Sequence, residues 1–177
     1  MKFISFNHDN SEKFGIIENN LITDLTGKID GALSLKELIK IKKIKEAKEY
    51  AKSNPGSIKP DQIKYSPLIP NPGKIICVGL NYSEHVKETN RTVEENPVIF
   101  HRFPESQTAH MQAIQRPTVS ESLDFEGEMA VVMDEGGKHI KPEDALKHIV
   151  GFSCYNESTI REWQRHTRQF GMGKNFE

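Results

Sequence analysis

A run of prolines divides this chain. Between Ser53 and Pro72 lie Pro55, Gly56, Pro60, Pro67, Pro70 and Pro72, with Gly73 directly after. Proline removes a backbone donor and fixes φ, so neither a helix nor a central strand can run through such a stretch. The segment reads as a linker or an extended edge crossing. It predicts a small N-terminal α/β domain with its linker over 1–69 and a second domain over 70–177. A chain of 177 residues has room for that arrangement.

Before the prolines, Met1–Phe6, Phe14–Ile17 and Leu21–Leu25 are short apolar strands, and Glu18-Asn19-Asn20 forms a tight turn between the last two. Ser34 caps a helix, with Glu37 as its capping-box partner. Leu35, Leu38, Ile39, Ile41, Ile44 and Ala47 keep helical spacing up to about Lys52. After the prolines, strands are predicted at Lys74–Gly79, Pro97–Phe100, Glu126–Met133 and Ile149–Tyr155. Helices are predicted from Asn81 to Lys87, from Pro142 to His148 and from Ser158 to Arg168.

Charge excludes several function classes. Lys and Arg total 24 against 25 Asp and Glu, a net charge of -1, so no global basic field attracts nucleic acid or an anionic membrane. The lysines from Lys40 to Lys52 form a solvated helix face, with no interleaved aromatic before Tyr50. No apolar run approaches the roughly 18 residues of a membrane span. Met1–Asn10 lacks the apolar stretch of a secretory leader. Cys77 and Cys154 sit singly in apolar segments and read as buried, reduced thiols of a cytoplasmic protein.

Three constellations carry chemistry. In Asp124-Phe-Glu126-Gly-Glu128, alternation along a strand sends Glu126 and Glu128 to one face. Two adjacent carboxylates repel unless a cation relieves them, and a hard divalent ion such as Mg²⁺ or Mn²⁺ suits oxygen ligands. The same pair also fits an exposed edge with two solvated glutamates. His85 and Glu88, three apart on a helix, share a face, and a carboxylate beside an imidazole makes a general base or an ordinary surface pair. Glu157 follows an apolar strand and supplies either a third carboxylate or a helix N-terminal charge. Gly171-Met-Gly173-Lys174 is not a Walker A loop, since Arg168 stands where the first glycine belongs and no Ser or Thr follows Lys174.

Taken together, five motifs in order resemble the fumarylacetoacetate hydrolase family from about Pro70 onward. They are Ile76-Cys-Val-Gly-Leu-Asn-Tyr-Ser-Glu-His-Val-Lys-Glu88, Pro97–Arg102, Ser106–Pro117, Leu123–Val132, and Gly151–Phe176 with Arg161-Glu-Trp-Gln and Gly-Lys-Asn-Phe. Their details are most similar to the 2-hydroxyhepta-2,4-diene-1,7-dioate isomerase and ureidoglycolate lyase branch. The resemblance implies a mixed, strand-rich α+β roll behind a small α/β domain. It implies Mg²⁺ or Mn²⁺ on Glu126, Glu128 and Glu157, a catalytic His85–Glu88 pair with Lys174, and substrate binding by Arg161, Gln164 and Arg102. The implied function is hydrolysis, carbon–carbon cleavage, decarboxylation or isomerisation of a small 2-oxo or β-diketo acid through an enolate, in a homodimer. Glu157 stands where the family has Asp, Arg102 where Lys is usual, and Ala109 and Met111 where glycine is usual. The family core continues beyond the Gly-Lys-Asn-Phe segment, so a shortened chain is expected. An inactive remnant or assembly module is the alternative.

Overall fold

The computed structural model of the chain describes residues 1–88 and 95–176. Its contacts divide into two compact units. The first holds Met1–Asn71, Thr108–Ala113 and Glu128–Tyr155; the second holds Pro72–Gln107, Ile114–Gly127 and Asn156–Glu177.

In the first unit, β1 (Lys2–His8), β2 (Ser11–Glu18) and β3 (Leu21–Asp24) form an antiparallel meander. Both connections are two-residue turns with positive φ throughout: Asp9 and Asn10 at 52° and 56°, Asn19 and Asn20 at 50° and 62°. Asp and Asn tolerate this left-handed backbone, and its twist matches that of the strands it joins. The predicted single helix is two helices, α1 (Leu35–Lys40) and α2 (Ile44–Ser53). Lys42 breaks it at φ 59°. Its N–H donates to the Ile39 carbonyl at 2.9 Å, and the Lys43 N–H donates to that of Leu38 at 3.3 Å. This is a Schellman stop with lysine where glycine is usual. At the other end of α1, Ser34 Oγ accepts from the Glu37 N–H at 3.2 Å, and Glu37 Oε2 accepts from the Leu33 N–H at 2.7 Å. Phe14, Ile16 and Leu25 from the sheet side bury against Leu35, Leu38, Ala47 and Ala51 of the helices.

As far as Asn71 the proline segment belongs to this unit. Within it β4 (Lys64–Tyr65) pairs antiparallel with β1, completing the order β3-β2-β1-β4. Ser5 Oγ donates to the Leu68 carbonyl at 2.7 Å, and Leu68 and Ile69 pack on the core. The two-stranded sheet of β8 (Gly127–Met133) and β9 (Ile149–Asn156) joins the same core through Val132 and Val150. Between those strands, the short helix predicted over Pro142–His148 is a 3₁₀ helix with those bounds. Met111 has φ 61°, the backbone state that glycine adopts without cost.

Asp24 ties this unit together locally. Burial raises its carboxyl, but Lys13 Nζ at 2.8 Å and the Thr26 N–H at 2.8 Å outweigh burial and hold it below its ordinary value. A lowered folded value contributes stability above the ordinary carboxylate range, lost as pH falls through the folded value. Asp24→Ala is therefore expected to destabilise by about 1–2 kcal/mol at neutral pH. The gap to the unaltered protein should narrow in thermal melts as pH falls through the lowered folded value; a gap unchanged on acidification would refute this account.

In the second unit, β5 (Ile75–Gly79) and β6 (Val98–Arg102) pair antiparallel, with Cys77 opposite Phe100. The short helix α3 (Ser83–Glu88) follows β5. β7 (Leu123–Asp124) pairs antiparallel with β10 (Thr159–Ile160), which leads into α4 (Arg161–Gln164); α5 (Gly171–Lys174) comes last. The helix predicted over Ser158–Arg168 is thus shortened at both ends, because Thr159 and Ile160 give their backbone to β7.

Candidate metal centre

The pairing of β7 with β10 brings distant acids together. Directly beyond it, the Glu157 N–H donates to the Glu126 carbonyl at 2.8 Å, and the Glu126 N–H donates to Asn156 Oδ1 at 3.1 Å. The two side chains therefore start from adjacent backbone. Glu126 lies in the bend before β8 and not in a strand, and Glu128 follows two residues on. Glu126, Glu128 and Glu157 each present a carboxylate oxygen, all within 4.8 Å of one another. Gly127 between them faces open space, with no heavy atom near a notional Cβ.

Cations surround this group. Lys174 is 1% exposed; its Nζ lies 2.7 Å from Glu126 Oε2 and 3.2 Å from Glu157 Oε1, and it also donates to the Glu157 carbonyl at 3.2 Å. The ring of Phe100 lies under the ammonium at 5.4 Å. Lys174 reaches this depth because α5 packs directly on β10 and α4. A methyl at Gly173 would collide with the Ile160 carbonyl and the Gln164 amide. Arg161 forks: Nε donates to Asp124 Oδ2 at 2.7 Å, while Nη1 donates to Glu126 Oε1 at 2.7 Å and Gln164 Oε1 at 3.1 Å. Buried Arg102 donates to the Ser158 carbonyl at 2.9 Å, its Nη1 3.7 Å from Glu157 Oε1.

Glu157 is the buried acid of the three. Its Oε1 makes no aligned hydrogen bond despite the two cations near it. Burial pushes its carboxyl above the ordinary value, Lys174 opposes this, and the Glu126 charge adds to the rise. Asp124 moves the other way, held low by its hydrogen bond from Arg161. A buried carboxylate oxygen with no aligned hydrogen bond, beside two further carboxylates, is a donor set for a hard divalent ion, and these residues fit one.

Lys174, Arg161 and Gln164 join the carboxylates, and Arg102 stands behind Glu157. The side chains of His85 and Glu88 lie outside the described residues. The expectation of two buried thiols is corrected: Cys154 is exposed on β9, where alternate side chains face outward, and Cys77 is only half-buried. Burial and the nearby Glu157 charge push the Cys77 thiol up to about 12. Asp124, which holds Arg161, is a contact that the sequence reading does not single out; its signal is its place two residues before Glu126, on the same alternation.

Residues 74–177 match the family described as fumarylacetoacetate (FAA) hydrolase C-terminal. The mitochondrial oxaloacetate tautomerase Fahd2a of Rattus norvegicus is 39% identical over 117 residues, which is 66% of this chain and 37% of that protein. The chain thus spans well under half the length of this curated relative. The solved fumarylacetoacetate hydrolase from Exiguobacterium antarcticum superimposes with a TM-score of 0.82 at 29% identity, covering 100% of this chain and 62% of the other. A maleylpyruvate hydrolase from a Sphingobium species, solved with manganese(II) and pyruvate, superimposes at 0.76 with 18% identity, covering 98% and 63%. The strand-rich α+β fold expected from the sequence is borne out by these likenesses across the whole chain.

Proposed function

The chain belongs to the fumarylacetoacetate hydrolase family, and from that premise we propose a divalent-metal-dependent hydrolase, lyase or isomerase acting on a small 2-oxo or β-diketo acid. The observation that carries the proposal is the cluster of carboxylate oxygens from Glu126, Glu128 and buried Glu157 within 4.8 Å of one another, with Glu157 Oε1 making no aligned hydrogen bond. Mg²⁺ or Mn²⁺ on these three residues supplies a Lewis acid for the substrate's carbonyl. The manganese and pyruvate named with the Sphingobium enzyme, and the tautomerase name of the rat protein, support the same reading.

The chain's own residues then divide the work. Lys174 holds a positive charge in a dry setting, where it stabilises the negative charge that develops on an enolate oxygen. Arg161 and Gln164 bind the substrate carboxylate. Arg102 is assigned to substrate in this reading too, acting through the Glu157 and Ser158 side of the site. His85, oriented by Glu88, takes a proton from water or from the substrate carbon. A homodimer belongs to the proposal, supported by the apolar side chains Ile76, Val78 and Ile99 exposed on one face of the β5–β6 pair. A cytoplasmic setting belongs to it as well, supported by two free cysteines. No helix among the described residues is long and apolar enough to cross a membrane.

The test is calorimetric titration with Mn²⁺, followed by assays of oxaloacetate enol–keto conversion and acylpyruvate hydrolysis with and without chelator. Saturable Mn²⁺ binding and chelator-sensitive turnover are expected. A chain that melts cooperatively yet binds no Mn²⁺ and turns over neither compound supports the inactive alternative instead.

A further inference from the structure

We propose that Asp124 is a positioning residue that keeps Arg161 in the site when Glu126 turns to the metal, so that metal binding frees one arm of Arg161 for an anionic substrate. This inference rests on the metal-dependent reading above. Arg161 is engaged by two carboxylates at 2.7 Å each, Asp124 through Nε and Glu126 through Nη1. The two partners differ in what else they do. Glu126 belongs to the acidic triad, whereas Asp124 lies outside it and pairs with no cation but Arg161 among the described residues. An ion that draws on Glu126 Oε1 competes directly with Arg161 Nη1 for the same oxygen. The guanidinium then has a donor to spare, and its remaining tether fixes where that donor sits.

Geometry favours Asp124 for this task. It is the last residue of β7, and its register partner is Thr159, two residues before Arg161 on the neighbouring strand. The tether thus leaves the two-stranded ladder and the tethered side chain leaves the first residue after it, whose N–H is itself fixed by the Ser122 carbonyl at 3.1 Å. A planar guanidinium held by one edge presents its other edge in a set direction, which suits bidentate recognition of a carboxylate. Gln164 Oε1, 3.1 Å from Nη1, holds the same arm on its other side.

The probe is oxalate, a small dicarboxylate, titrated into the chain at saturating Mn²⁺. Asp124→Asn is expected to leave Mn²⁺ affinity within about 3-fold and to weaken oxalate about 10-fold, with Asp124→Glu restoring most of the loss. In turnover the same change should raise KM more than it lowers kcat, because it removes binding and not Lewis-acid chemistry. In an Arg161→Gln background the Asp124→Asn penalty should vanish, since the two residues act as one unit. Unchanged oxalate affinity in Asp124→Asn, or a penalty that persists undiminished without Arg161, overturns this inference alone. Failure of the unaltered chain to bind Mn²⁺ overturns the metal-dependent reading and this inference with it.

Discussion

Glu157→Gln is expected to lose metal-dependent turnover and Mn²⁺ affinity together, by about 100-fold or more, while the metal-free protein melts no lower than the unaltered one. Even residues that only orient a ligand cost 10–100-fold in affinity or roughly that when removed, and Glu157 is placed to be a ligand itself. The stability half of the expectation follows from its charge. Burial raises the carboxyl above its ordinary value. Its contribution to stability is therefore fully present below the ordinary glutamate range and lost as pH rises through the raised folded value. Above that folded value the ionised group is a cost to the metal-free fold, and glutamine removes that cost. The same shift means Mn²⁺ affinity should weaken on acidification sooner than for an exposed glutamate site, because the ligand must be deprotonated. Glu157→Asp keeps the charge but withdraws it by one methylene, so it separates ligand charge from reach. Retained Mn²⁺ affinity in Glu157→Gln, measured calorimetrically, would remove Glu157 from the centre.

What the sequence could and could not say about this site has a physical pattern. Features set by neighbouring residues were legible: the Asn19-Asn20 turn, the Ser34 cap and the closeness of Glu126 to Glu128. Features set by long-range pairing were not. Nothing local to Ser158–Arg168 says that Thr159 and Ile160 will join Leu123 and Asp124, and that pairing alone places Arg161 over both Asp124 and Glu126. The prolines of 53–72 keep a long helix out and leave one 3₁₀ turn at Pro60–Gln62, but Pro content carries no information on whether Lys64 and Tyr65 will find β1. The break at Lys42 lacked its usual glycine, so a periodic apolar pattern ran straight through it. Lys174 was identified through a resemblance; its near-complete burial depends on the close approach that Gly173 allows, which no spacing rule reports.

Lys174→Met should move metal affinity and turnover in opposite directions. Lys174 Nζ sits 2.7 Å from Glu126 Oε2 and 3.2 Å from Glu157 Oε1, so it occupies the charge space an ion needs. Methionine removes that competitor, and Mn²⁺ should bind more tightly. Turnover should still fall, by about 100- to 1,000-fold, because a preorganised cation beside a developing oxyanion is lost. Stability adds a third readout. Removing one partner of a buried ion pair costs about 3–5 kcal/mol through the charge left behind, a melting decrease of roughly 10 °C in a chain of this size. Arg161 still faces Glu126, which leaves Glu157 as the acid most exposed to the loss. A divalent ion supplies the missing positive charge, so Mn²⁺ should recover much of the melting temperature in Lys174→Met without recovering activity. A metal-free variant that melts like the unaltered protein, or Mn²⁺ binding that weakens, would show that Lys174 does not balance these two glutamates. The three measurements together separate a lysine that neutralises the acidic centre from one that acts only on substrate.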